Sequence, residues 1–147
     1  MRLYKNITIY TLSLLYIIVG VKHFTNTDFF MAIIPKYIKW PQEAVLISGF
    51  SEIILGLFLL HIKTRKIASW GIIFLLIAVF PANIYLYISE SAREILEITK
   101  VQSLIRMPFQ APLIILAYWH SKEHHSEKFS IICSLLFIPT IIYFILL

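Results

Sequence analysis

The chain holds a single cysteine, Cys133, set inside a late apolar run. With no second thiol, an intramolecular disulfide and a CxxC redox pair are both excluded. A lone cysteine with apolar neighbours reads as a small hydrophobe. Glycine is nearly as scarce, with four in all, and no Gly-rich phosphate loop, HExxH or GxSxG occurs. The familiar motifs of soluble enzymes are therefore missing. Charge is the third shortage: only 14% of the 147 residues are Asp, Glu, Lys or Arg, against about 25% in an ordinary soluble domain.

Apolar residues take their place. They make up 59% of the chain, and the mean hydropathy is +0.82. A soluble fold of this size buries only about two-thirds of the surface its unfolded chain exposes, too little to hide so much hydrocarbon. A lipid bilayer is the solvent that fits. The net charge of +5 does not point to nucleic acid, because the basic residues lie at the ends of apolar runs rather than along one stripe. Basic charge here sets topology.

About five segments are long enough to cross a hydrocarbon layer at about 20 residues each. They lie near residues 7–24, 43–62, 67–88, 104–119 and 129–147. The fourth is the weakest, since Arg106, Pro108, Gln110 and Pro112 crowd its start. Arg2 and Lys5 before an apolar run resemble a signal peptide. However, Tyr16, Gly20, Lys22, His23 and Phe24 follow without a small-x-small cleavage site, so an uncleaved first helix is expected.

Lys and Arg in the short loops set the orientation. Arg2 and Lys5, then Lys63, Arg65 and Lys66, then Lys122 and Lys128 mark one side as cytoplasmic. The other side carries Lys36 and Lys39, then Arg93 and Lys100 among Glu90, Glu94 and Glu97. The amino terminus is placed in the cytoplasm and the carboxyl terminus outside. In the first outer loop, Asn26, Thr27 or Asp28 can cap a short helix over 29–34 that Pro35 stops, with Tyr37 and Trp40 as interfacial aromatics. In the second, Ile95, Ile98 and Val101 fall at helical spacing, with Arg93 and Glu97 as an i,i+4 pair.

Ionisable groups inside a span cost at least about 2.5–3.5 kcal/mol near a helix centre, so each one needs a reason. Lys22 and His23 close the first span at its outer end, and Ser48, Ser51 and Glu52 lie in the outer-to-middle part of the second. Asn83 follows Pro81 in the outer third of the third span, and Arg106 and Gln110 open the fourth from the same side. Alternating helix direction puts all of them in the outer half and leaves the inner halves almost wholly apolar. Ser48, Glu52 and Gly56 share a face at i,i+4 steps, as do Arg106 with Gln110 and Asn83 with Tyr87.

Arg106 cannot lose its proton, and Glu52 needs a counter-ion at that depth. Pairing them, with Asn83 and Gln110 completing the hydrogen bonds, satisfies all four. Pro81 also leaves the carbonyl of Ile77 without its usual donor, adding one more polar group to the region. Two readings stay open: an ion pair that only locks helix packing, or a pocket that holds a ligand or handles protons. His23, beside Lys22 at the interface, is explained equally well by solvation.

His120, His124 and His125 share one inner loop, with His61 at the end of the second span on the same side. Two histidines at equal depth could ligate haem axially. These lie at the water boundary beside Lys122, Glu123 and Lys128, where a solvated loop accounts for them. Haem is the weaker reading, and no metal ligand is assigned.

Several of these residues belong to a pattern that resembles the DoxX-like group of bacterial membrane proteins. It comprises Gly20-Val21-Lys22-His23-Phe24, Ile34-Pro35, Trp40-Pro41, Ser48-Gly49 with Glu52 and Gly56, and Trp70-Gly71. It continues through Ala78-Val79-Phe80-Pro81-Ala82-Asn83-Ile84-Tyr85 to Arg106-Met107-Pro108-Phe109-Gln110. The resemblance spans roughly residues 15–119. It implies an all-α, four-helix membrane bundle over residues 1–125 in a bacterial cytoplasmic membrane. The segment over 126–147 is then an added fifth transmembrane helix.

Members of that group are linked with quinone-dependent sulfur oxidation, oxidative-stress complexes and protein maturation, so the resemblance implies a fold more sharply than a reaction. The leading expectation is an accessory or binding subunit that supports an oxidoreductase partner. It holds a quinone-like or lipid ligand in an outer-leaflet pocket formed by Glu52, Asn83, Arg106 and Gln110, with Lys22, His23 and Ser48 nearby. The alternative is an assembly factor for a membrane or exported protein, in which the polar cluster is structural. An autonomous quinone-reducing enzyme ranks below both, because no electron carrier is visible in the sequence.

Overall fold

The computed structural model describes residues 2–146 and consists, among them, of helices joined by short turns. Four helices are long and apolar enough to cross a membrane: α1 (Arg2–Thr25), α3 (Pro41–Leu60), α4 (Arg65–Ile88) and α8 (Glu127–Leu146). Shorter helices complete the chain: α2 (Thr27–Met31), α5 (Glu90–Ile95), α6 (Lys100–Arg106) and α7 (Gln110–His120). Only 22–39% of each long span is buried within the protein. The remaining faces carry residues such as Leu14, Phe50, Phe74 and Leu135, whose exposure to water would be prohibitive. The chain is a multi-pass membrane protein.

Local chemistry explains where the helices begin and end. Pro41 opens α3 at a position where its missing N–H costs nothing. At the other end of α3, Thr64 Oγ1 donates to the Phe58 carbonyl (2.7 Å) and Arg65 Nε donates to that of Leu59 (3.0 Å). These bonds occupy the carbonyls that a helix end leaves open. Ser89 caps α5 by accepting from the Ala92 amide, and Thr99 with Gln102 forms a capping box at the start of α6.

α1 packs on α3, α3 on α4, α4 on α7, α7 on α8, and α8 returns to α1, closing a ring. Its core is drawn from all five: Ile9 and Leu12, Leu59, Ile72 and Leu76, Leu113 and Trp119, Cys133 and Phe137. A smaller core of Ile33, Leu86, Ala92 and Leu96 lies where the short helices cover one end.

Three expectations need correcting. The fourth span, expected over 104–119, is not one helix: α6 stops at Arg106 and α7 starts at Gln110. Pro108 cannot donate to the backbone ladder, and the Met107–Phe109 turn breaks the segment around it. Five long helices are therefore not reproduced. The second loop also differs, because Glu97 takes a positive φ of 53° and separates α5 from α6. Arg93 turns away from Glu97 and donates to the carbonyls of Leu86 and Tyr87 at the end of α4. Ala92 and Leu96 face inward, while Ile95 and Val101 are exposed. In the first loop, Asn26 precedes α2 but makes no side-chain cap, and the helix ends at Met31, before Pro35.

Candidate functional site

The close packing of α1 on α3 sets the geometry of the main polar grouping. Ser13, Tyr16, Gly20 and His23 recur at steps of three and four along α1, so they share one face. Gly49, Glu52 and Gly56 do the same on α3. The two faces meet backbone to backbone. A Cβ on Gly20 would lie 2.7 Å from the Gly49 carbonyl oxygen, and one on Gly49 would collide with the Cβ of His23. Ser13 Oγ donates to the Gly56 carbonyl across the same seam. Small residues at helix crossings allow such approach in membranes.

That approach brings His23 against Glu52. His23 Nδ1 lies 3.4 Å from Glu52 Oε2, and it is 2.9 Å from the Val19 carbonyl. Since a carbonyl only accepts, Nδ1 carries the proton, and Nε2 of the neutral ring is an acceptor. The Phe30 ring from α2 stacks on the imidazole at 3.7 Å between centroids. Glu52 Oε2 is buried without a hydrogen-bond partner, and so is the Tyr16 hydroxyl on the same face of α1. The grouping thus offers an open carboxylate acceptor and an open hydroxyl in an apolar setting.

The remaining expected site residues are distributed unevenly. Asn83 Nδ2 donates to Gln110 Oε1 (3.1 Å), and Gln110 Nε2 donates to the Leu76 carbonyl (2.7 Å). These bonds tie α4 to α7 beside Pro81. Gln110 thus reaches the carbonyl one residue before Ile77, the one left short of a donor. Ser48 Oγ bonds back to its own helix at Val45 (2.9 Å), and Lys22 is exposed. The expected Arg106–Glu52 ion pair does not form. Among the described residues the Glu52 side chain lies against His23, and Arg106, half-buried at the end of α6, has no ion-pair partner. No hydrogen bond among the described residues joins the His23–Glu52 grouping to Asn83–Gln110.

The opposite end of the bundle is less apolar than the sequence suggests. His120, expected at the water boundary, is only 2% exposed. Its Nε2 lies 3.0 Å from Thr8 Oγ1, and its Nδ1 is buried without a partner. Thr8, Ser13 and Ser69 are also fully buried. The only sign of this in the sequence is the hydroxyl residues inside the first and third apolar runs, which hydropathy treats as neutral. His125, in the following loop, is 3.0 Å from the Trp119 carbonyl. Partial burial, and after it the Lys5 charge, holds its pKa below the usual imidazole range. His61 Nδ1 accepts from the Lys63 amide (3.3 Å). Among the described residues no three His, Cys, Asp or Glu side chains gather as a metal would need.

No curated protein and no solved structure matches the chain. One family model does, over residues 12–121. That stretch runs from the middle of α1 to the end of α7 and takes in both polar groupings, leaving α8 outside. The chain therefore belongs to the family described as Domain of unknown function (DUF8561).

Proposed function

We propose that the protein is a membrane-embedded binding subunit that holds a quinone-like or lipid ligand beside Glu52 and serves an oxidoreductase partner. The observation that carries this reading is the buried Glu52 Oε2, which lacks a hydrogen-bond donor although it lies deep in an apolar bundle. An unmet acceptor of that kind costs about 1–3 kcal/mol, and more when charged. A ligand hydroxyl would meet it.

The chemistry of the neighbours narrows the ligand. Glu52 Oε2 and His23 Nε2 accept, whereas the unpartnered Tyr16 hydroxyl can donate to a carbonyl oxygen. A quinol–quinone pair presents both kinds of oxygen, and so does the hydroxyl and ester region of a lipid. Phe30, stacked on His23, supplies a flat apolar wall. In this proposal Asn83 and Gln110 hold α4 to α7. The resemblance to DoxX-like proteins, a group linked with quinone-dependent sulfur oxidation among other roles, is part of the same reading.

The test is organic extraction of the purified protein followed by mass spectrometry, for wild type and Glu52→Gln. Gln keeps the shape of the carboxylate and removes its charge. The expected result is a quinone or a defined lipid in the wild-type extract, reduced at least about tenfold in the variant, the effect of about 1.4 kcal/mol. Equal extracts from two proteins of equal thermal stability would overturn the proposal. They would leave a structural cluster and an assembly role mapped to the Phe29–Trp40 loop.

A further inference from the structure

A second feature lies at the other end of the bundle and is independent of the ligand proposed for Glu52. The start of α1, the α3–α4 turn and the end of α7 enclose a half-open cleft of about 590 Å³. Lys5, Arg65, Lys66 and Lys122 line it, with Glu123 as its one carboxylate. None of these four cations has an ion-pair partner among the described residues. Lys5 Nζ and Arg65 Nε instead donate to backbone carbonyls, of Lys122 (2.6 Å) and Leu59 (3.0 Å).

Helix polarity makes the excess of positive charge costlier. Arg65 and Lys66 open α4, whose first turn has no acidic residue and whose Thr64 N-cap side chain accepts no bond from the first amides of the helix. A helix start carries roughly half a positive charge and open N–H groups, and cations there are unfavourable unless an anion is present. The lowered pKa of His125 is caused first by burial and then by Lys5, so the positive field of Lys5 extends into the adjoining loop. His120 also lines the cleft, 2% exposed and with its Nδ1 unpartnered. Ile9 and Ile62 add apolar wall beside the charges.

We infer that this cleft binds a phosphate group, with Arg65, Lys5, Lys66 and Lys122 as its donors and His120 at its floor. A guanidinium with several ammonium groups around one cavity matches the tetrahedral, multiply accepting oxygens of phosphate. The phosphate can come from the headgroup of an anionic phospholipid, whose chains would follow Ile9 and Ile62, or from a soluble phosphorylated molecule.

Thermal unfolding of the full chain in vesicles, at constant ionic strength, tests the inference and separates the sources. The three conditions are phosphatidylcholine alone, phosphatidylcholine with phosphatidylglycerol, and phosphatidylcholine with added inorganic pyrophosphate. A rise in Tm of several degrees with phosphatidylglycerol supports the lipid source, and one with pyrophosphate supports the soluble source. Lys5→Gln/Arg65→Gln should abolish the rise, whereas Lys36→Gln/Lys39→Gln, which removes as much charge at the other end, should keep it. Arg65 also caps α3, so Lys66→Gln/Lys122→Gln, confined to exposed side chains, is the second variant and should at least halve the rise. No rise with either anion, or an equal loss in the Lys36/Lys39 variant, would overturn the inference.

Discussion

Glu52 and Gln110 are both polar side chains within the apolar bundle, and they differ in how far their hydrogen-bonding needs are met. Gln110 accepts from Asn83 and donates to Leu76, so its amide is satisfied within the protein. Glu52 retains an open oxygen. Gln110→Ala should therefore destabilise the protein by about 1–3 kcal/mol, because Asn83 and the Leu76 carbonyl lose their partner in a dry site. A double-mutant cycle with Asn83→Ala should give a coupling of about 0.6 kcal/mol, the usual size between membrane helices. Equilibrium unfolding of the four proteins in one detergent measures it, and zero coupling would remove the clamp role. The shared depth of Asn83 and Gln110 was legible in the sequence, which set both around an Arg106–Glu52 pair; their bond to each other was not. Neither was the partner of Glu52. Charge complementarity favours Arg106, yet which helices touch is decided by the glycines of α1 and α3, and those bring His23 instead.

The elements show why the glycine seam matters more than hydropathy reveals. Gly20 and Gly49 let α1 and α3 approach so closely that a single methyl group has no room. At Gly49 the added Cβ would meet the His23 Cβ and, at 2.9 Å, the Gly20 carbonyl oxygen, and a backbone atom cannot move aside as a side-chain tip can. Gly49→Ala should cost about 1–3 kcal/mol by overpacking and push His23 away from Glu52. Melting temperature reports the first effect, and loss of any ligand recovered from the wild type reports the second. Gly71 meets only the side chain of Leu55, so Gly71→Ala should be milder, and an equal loss in both would deny the seam its special role. The long spans themselves were readable from run length. Crowded Pro108 and Pro112 marked the fourth span as weak, but a hydropathy window merges α6 and α7 into one piece and hides the break. The burial of His120 was hidden for a related reason: a residue at the end of an apolar run is dry or wet according to the helices beside it, here α1 through Thr8.

At the scale of the whole molecule, the broken α6–α7 segment decides the topology. α4 ends at Ile88, beneath the short helices, while α7 ends at His120, just before Lys122, whose carbonyl accepts from Lys5 at the start of α1. The chain returns from one end of the bundle to the other between residues 100 and 120, although no single helix there is long enough to cross. α8 then runs back past the start of α1, with Ser134 O accepting from Tyr4 and with Tyr143 stacked on Phe109 (3.9 Å). Single cysteines at Lys63 and Lys122 should thus label from the same side of the membrane, and those at Lys36 and Ile95 from the other. The Lys and Arg around the cleft favour the cytoplasm for the first pair. Native Cys133, fully buried in the ring, should stay unlabelled until the protein is unfolded, so an impermeant maleimide reads the introduced sites alone. Labelling of Lys63 and Lys122 positions from opposite sides would mean that α6 and α7 do not cross, and the ring of five packed helices would have to be abandoned.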